Sequence, residues 1–180
     1  MNRNICFWHI AAIFFIFLVG GAWHFVYSLS GSNQLIALIA PVNESVWEHL
    51  KLAPIPLLLF SIFEFFYIGQ LSRNFLIART VALYLIPILI VVFHYSYRIQ
   101  VGHPILWADI LIFGLSVTIA ELTSYRIMTQ EAFTPKWQFS CIIAVLLLFA
   151  AFAVLTFYPP NRPIFLDIKT GSYGIGSLKT

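Results

Sequence analysis

Long apolar runs separated by brief polar punctuation leave this chain few folds to choose from. From about Ile5 to Tyr27, Leu52 to Gly69, Thr80 to Tyr97, Pro104 to Tyr125 and Trp137 to Tyr158 the residues are almost entirely apolar. Each run approaches the roughly 20 residues with which a helix crosses a hydrocarbon core about 30 Å thick. A chain in lipid must satisfy its own backbone hydrogen bonds, and a helix does so within one segment. The expected architecture is therefore an all-α, polytopic membrane bundle of five transmembrane helices, residues 1–158, followed by an extramembrane tail, 159–180. Five crossings put the termini on opposite sides.

Composition agrees with this. At 61% hydrophobic and 9% charged residues, with a mean hydropathy of +0.90, the chain lacks the polar surface to coat a soluble globule. Its ten Lys and Arg residues are scattered singly, which argues against a nucleic-acid partner, since no basic run follows a phosphate backbone. Cys6 and Cys141 sit in apolar runs without the spacing of a metal or redox pair. The first run, ending in Gly20, Gly21 and Ala22, imitates a cleavable signal peptide, but it continues through Trp23 and Phe25 to Tyr27 and reads as a span. Near span ends, Arg3, Arg73, Arg79, Arg126 and Lys136 on the N-terminal side outweigh Lys51, Arg98 and Arg162 on the other. The bias predicts a cytoplasmic N-terminus and an extracytoplasmic C-terminus.

Between the first two spans, Leu35 to Ala40 is too short to cross and reads as a re-entrant or interfacial piece. Asn43 to Lys51 reads as a short polar helix opened by a capping box of Ser45 and Glu48. On a helical wheel Glu44, Glu48 and Lys51 share one face and Val46 and Leu50 another, the pattern of a helix lying on a membrane surface. The tail opens with Pro159 and Pro160, which stop the fifth helix, and its Ile164, Phe165 and Leu166 suggest an ordered cover that folds back on the bundle, with a flexible tail carrying incidental apolar residues as the alternative.

Ionisable groups in spanning helices are expensive and usually face the bundle interior or water. The expected topology brings His24, Asn43, Glu44, Glu48, His49, His94, His103 and Asp109 to one outer layer. Neutral imidazoles and carboxylates together can hold a divalent ion such as zinc and leave a position open for water. The working assignment makes His24, His49, His94 and Asp109 metal ligands and Glu48 or Glu44 the general base. The corresponding activity is metal-assisted hydrolysis of a lipid or amphiphile delivered laterally from the bilayer. Against it stands the plainer reading, that groups at span ends are solvated by headgroups and water, and no His-Glu-x-x-His or Gly-x-Ser-x-Gly motif is present. His103, just before Pro104, belongs to a solvated loop, and Glu121 is expected to pair with Arg126.

Glu64, near mid-bilayer, must be neutral, paired or facing water. It supports a second class of function, an ion or small-molecule transporter acting as a homo-oligomer. A third class is a non-catalytic subunit that assembles with another membrane protein.

The segments FVYSLSG, PVNESVWEHLKL, NFLIAR and TFYPPNRPIFLDIKTGSYGI together resemble an uncharacterised family of small bacterial membrane proteins, a domain of unknown function. The block from Pro41 to Leu52 is its most specific mark. The resemblance implies a bacterial inner-membrane protein and no activity, cofactor or partner. Intramembrane ceramidase-like metal hydrolases offer a looser analogy in their outer-layer His and Asp, although their paired-histidine pattern is missing here.

Overall fold

The structure, a computed structural model, describes residues 3–131 and 136–175. The last residues of the expected tail, 176–180, lie outside them. Among the described residues eight α-helices run in the order α1 (Arg3–Trp23), α2 (Val26–Leu29), α3 (Gln34–Ala37), α4 (Val46–His49), α5 (Pro54–Ile68), α6 (Phe75–Val101), α7 (Leu106–Met128) and α8 (Lys136–Phe157). Among these residues five helical segments, built on α1, α5, α6, α7 and α8, are long and apolar enough to cross a membrane. Among the described residues the β pairing is a single antiparallel bridge, Leu166 to Tyr173, in the tail.

Two of the span boundaries have a plain local cause. Pro54 opens α5, where its missing N–H is no loss. Gly102 closes α6 at φ 84°, a left-handed position that glycine takes without strain. The third span begins earlier than the sequence suggested, because nothing between Asn74 and Thr80 breaks a helix and α6 starts at Phe75. Arg79 therefore lies within the helix rather than at its boundary.

The α6 helix packs against α5, α7 and α8, while α1 packs against α5 and α7. The centre of the α1–α5–α6–α7 bundle holds Ala12, Ile16, Leu57, Phe60, Ala82, Leu83, Ile86, Val117 and Ala120. Its alanines let backbones approach, the usual device where lipid removes any hydrophobic drive between helices. Gly20 goes further, since a Cβ there would stand 2.5 Å from the Leu52 carbonyl oxygen and 2.9 Å from the Phe113 ring.

Burial is inverted relative to a soluble protein. Phe66 is 78% exposed while Glu64, Lys51 and Glu121 are each 0% exposed. Apolar groups face outward and charges inward, as a hydrocarbon surround requires. Because the spans alternate in direction, the C-terminal ends of α1, α6 and α8 and the N-terminal ends of α5 and α7 share one end of the bundle, here the histidine end.

The segment before α5 departs most from expectation. Instead of a surface helix with Glu44, Glu48 and Lys51 in water, α4 is one turn that continues through a 3-10 turn, Leu50–Leu52, towards α5. Its charged face turns inward. Lys51 Nζ donates to Ala37 O (3.0 Å), Ala40 O (3.4 Å), Glu48 Oε2 (2.7 Å) and Thr156 Oγ1 (2.5 Å). The Leu35 to Ala40 piece thus supplies acceptor carbonyls, and α8 closes the node when Thr156 donates to Glu48 Oε1 at 2.7 Å. Only half of the capping box forms, as Ser45 Oγ accepts from Glu48 N–H at 3.3 Å. The Glu48 carboxylate instead accepts from Val42 N–H at 3.1 Å, and Ser45 N–H donates to Asn43 Oδ1 at 2.9 Å.

The tail folds back over this region. Phe165 is buried with its ring 5.0 Å from that of Trp47, and Asn43 Nδ2 donates to Gly174 O at 3.2 Å.

Candidate metal centre

At the histidine end three segments converge on one point. His24 follows α1, Glu44 lies in the loop before α4, and His49 ends α4. His24 Nε2 is 3.2 Å from His49 Nε2, and Glu44 Oε2 is 3.5 Å from the first and 3.4 Å from the second. These three are the one group of at least three His, Cys, Asp or Glu side chains, among the described residues, whose donor atoms meet closely enough to share an ion. A tetrahedral zinc with bonds of about 2.0–2.1 Å has ligand-to-ligand edges of about 3.3–3.4 Å. The three donor atoms therefore outline one face of such a tetrahedron, and the fourth corner is left to water or substrate.

The surroundings suit the donor chemistry. His49 Nδ1–H donates to Ser45 O at 2.8 Å, which directs the lone pair of a neutral imidazole to Nε2. Glu44 divides its oxygens, Oε2 towards the imidazoles and Oε1 accepting from Lys169 Nζ of the tail at 2.8 Å. The hydrogen bond with His49, reinforced by Lys169 and opposed by burial, holds the Glu44 carboxyl well below the usual carboxylate range, so it is ionised. Partial burial, with His49 beside it, holds His24 below the ordinary histidine value against the pull of Glu44, which favours the neutral form a metal takes.

His94 and Asp109, expected among the ligands, pair with each other instead. His94 Nδ1 is 2.7 Å from Asp109 Oδ1, and Tyr97 donates to the same oxygen at 2.9 Å. His94 Nε2 is buried without a partner, and Asp109 is within electrostatic reach of His49. The dyad is thus a neighbour of the His24–Glu44–His49 group and lies outside it. Glu48, expected as a general base, has both oxygens committed to Lys51, Thr156 and Val42 and is 2% exposed. Its face meets protein rather than water. His103 is exposed, as its loop position suggested.

A second polar cluster lies towards the opposite end, within the spans. Arg79 Nη1 donates to both oxygens of Glu121, each at 2.8 Å, and Arg79 Nη2 donates to Glu64. His9 Nδ1 is 2.6 Å from Glu121 Oε2. Glu121 therefore pairs with Arg79 and His9, not with Arg126, because its side chain faces the bundle centre. Sequence reasoning singled out neither His9 nor Arg79. The available signals were a lone histidine in the first apolar run and an arginine with no helix breaker between it and Asn74. Lys169 of the tail also belongs to the histidine-end site.

Fold and site together define a polytopic helical membrane protein with a two-histidine, one-carboxylate group at one end, beneath a folded-back tail. The chain belongs to a family described as a family of unknown function (DUF6512), whose model matches residues 1–175. No curated protein and no solved structure shows a significant match to it.

Proposed function

We propose that the protein is a divalent-metal hydrolase of an ester or amide bond in a lipid or other amphiphile, with the ion held by His24, Glu44 and His49. The observation that carries this reading is the triangle of donor atoms with edges of 3.2–3.5 Å, one of them oriented through Ser45. A zinc-like ion there would activate water and polarise a carbonyl. His94, with Nδ1 held by Asp109 and Nε2 unpartnered, takes the general-base role that the sequence suggested for Glu48 or Glu44, since Glu44 now stands among the ligands. It accepts the proton of the attacking water and returns it to the leaving oxygen or nitrogen as the acyl bond breaks. Substrate enters from the bilayer beside an end lined by exposed Leu106 and Trp107.

The protein sits in a bacterial inner membrane with the histidine end outward. Arg79 and Lys51 are interior residues and drop out of the charge count, which leaves Arg3, Arg73, Arg126 and Lys136 against Arg98 and Arg162 near span ends.

The test is turnover of micellar ester and amide amphiphiles by the purified protein, stripped with chelator and reloaded with zinc. Hydrolysis should return with metal, and His94→Gln should lower kcat by about 100-fold or more while binding the metal as before. A metal-loaded protein that turns over neither bond type contradicts the hydrolase and favours transport or assembly.

A further inference from the structure

The cluster of His9, Glu64, Arg79 and Glu121 is unlike the structural ion pair its position suggests. A structural pair needs one cation and one anion. Here two carboxylates face one guanidinium, so with His9 neutral the set carries one uncompensated negative charge. All four residues are at most 4% exposed, and each comes from a different spanning helix. Net charge in such a place is strongly disfavoured, whereas a neutral, mutually hydrogen-bonded set is tolerated.

Two atoms can accept the single proton that restores neutrality, His9 Nε2 and Glu64 Oε2. Both are buried without a hydrogen-bond partner. Arg79 Nε and the hydroxyls of Ser116 and Ser124, the serines lying on the same helix as Glu121, are also buried and unpartnered. Buried polar atoms are nearly always satisfied, by ordered water where protein does not suffice. Among the described residues, no other titratable or charged side chain is hydrogen-bonded or ion-paired to these four. The remaining ionisable group beside them is the Tyr125 phenol, whose ring packs edge-on to His9 at 5.7 Å.

We propose that these four residues form a proton-binding site inside the membrane, holding one exchangeable proton on His9 or Glu64 and reached by water from the nearby end of the bundle. The proton comes from water and bonds to His9 Nε2, making an imidazolium whose Nδ1–H stays on Glu121. Alternatively it bonds to Glu64 Oε2, leaving Oε1 on Arg79. Either way the cluster becomes neutral. His9 is less than roughly two turns into α1 and Arg79 little more than one turn into α6, so the path to that membrane face is short. The site does not depend on the metal reading, because it shares no residue with the histidine end.

The test uses the full chain in lipid nanodiscs at pH 7. Nitrogen-15 NMR of histidine-labelled protein, with the His9 signal assigned through His9→Gln, reads the imidazole. The infrared carbonyl band of a protonated carboxyl reads Glu64. Either His9 is an imidazolium or Glu64 is a carboxylic acid, and transfer to heavy water shifts the signal. Glu64→Gln makes the cluster neutral without the proton, so the variant should show a neutral His9 and no such band. A wild-type protein with neutral His9 and no protonated carboxyl overturns the proposal, as does a signal that ignores heavy water or survives unchanged in Glu64→Gln. Should that variant fail to fold, the wild-type spectra decide alone.

Discussion

Two histidine–carboxylate groups in one small bundle have opposite designs. At the histidine end, His24, Glu44 and His49 are partly exposed, their donor atoms point at one another, and the balancing cation is Lys169 on the tail. In the bundle interior, His9, Glu64 and Glu121 are fully enclosed and their cation, Arg79, is built into a spanning helix. The difference lies in where positive charge comes from. A set that carries its own buried guanidinium has no vacancy for a metal and can adjust only by a proton. A set whose cation hangs on an exposed side chain can exchange it for, or share it with, an ion.

The largest effect should come from removing the interior cation. Arg79→Met takes one positive charge from the set, which even with its proton is left with an unpaired buried carboxylate, and loss of one partner from a buried ion pair costs about 3–5 kcal/mol. Thermal unfolding in detergent should show a strongly destabilised or unfolded protein. If the variant is as stable as wild type, Glu64 and Glu121 do not depend on Arg79 for their burial.

Lys51→Met should rank next, towards the lower end of that same range of about 3–5 kcal/mol, because Glu48 keeps Thr156 and the Val42 N–H. An unchanged unfolding midpoint would mean that Glu48 reaches water after all. Gly20→Ala should cost about 1–3 kcal/mol by overpacking, since the new methyl meets the Leu52 carbonyl and Phe113. Stability retained there would show that α1 can move away from the start of α5.

Lys169→Ala should have the smallest effect. With 69% of its side chain exposed, Lys169 adds little to folding, but it orients Glu44 from outside the ligand group. Loss of such outer partners weakens metal affinity by about tenfold. Calorimetric zinc titration checks this, and an unchanged affinity would make the tail contact incidental.

How much of this the sequence discloses follows from what periodicity and run length report. Apolar runs bounded by Pro, Gly and aromatics locate the five spans, because lipid demands long helices whatever their packing. Alternating direction then puts His24, Glu44 and His49 in one layer with five other polar residues, but which of these side chains converge depends on helix rotation, which run length does not report. The inward turn of Glu48 and Lys51 was not. A helical wheel shows that two residues share a face but not that the Ala37 and Ala40 carbonyls and Thr156 cover it, over separations of 14, 11 and 105 positions in sequence. The pairing of Arg79 with Glu64 and Glu121 was hidden for a related reason. A basic residue near a span end is ordinarily an interfacial marker, and only the rotation of α6 decides that this one points inward. His94 and Asp109 were placed in the correct layer, yet their short mutual contact takes both out of the ligand group.

The most direct measurement is metal content of the purified protein, prepared without chelator, beside His24→Ala and His49→Ala. The expected result is about one divalent ion per chain, with two imidazole nitrogens and one carboxylate oxygen in its X-ray absorption spectrum, and loss of that ion in either variant while both remain folded. A protein that binds no ion when offered zinc, or that retains it after either substitution, would contradict the assignment of His24, Glu44 and His49 as the metal centre.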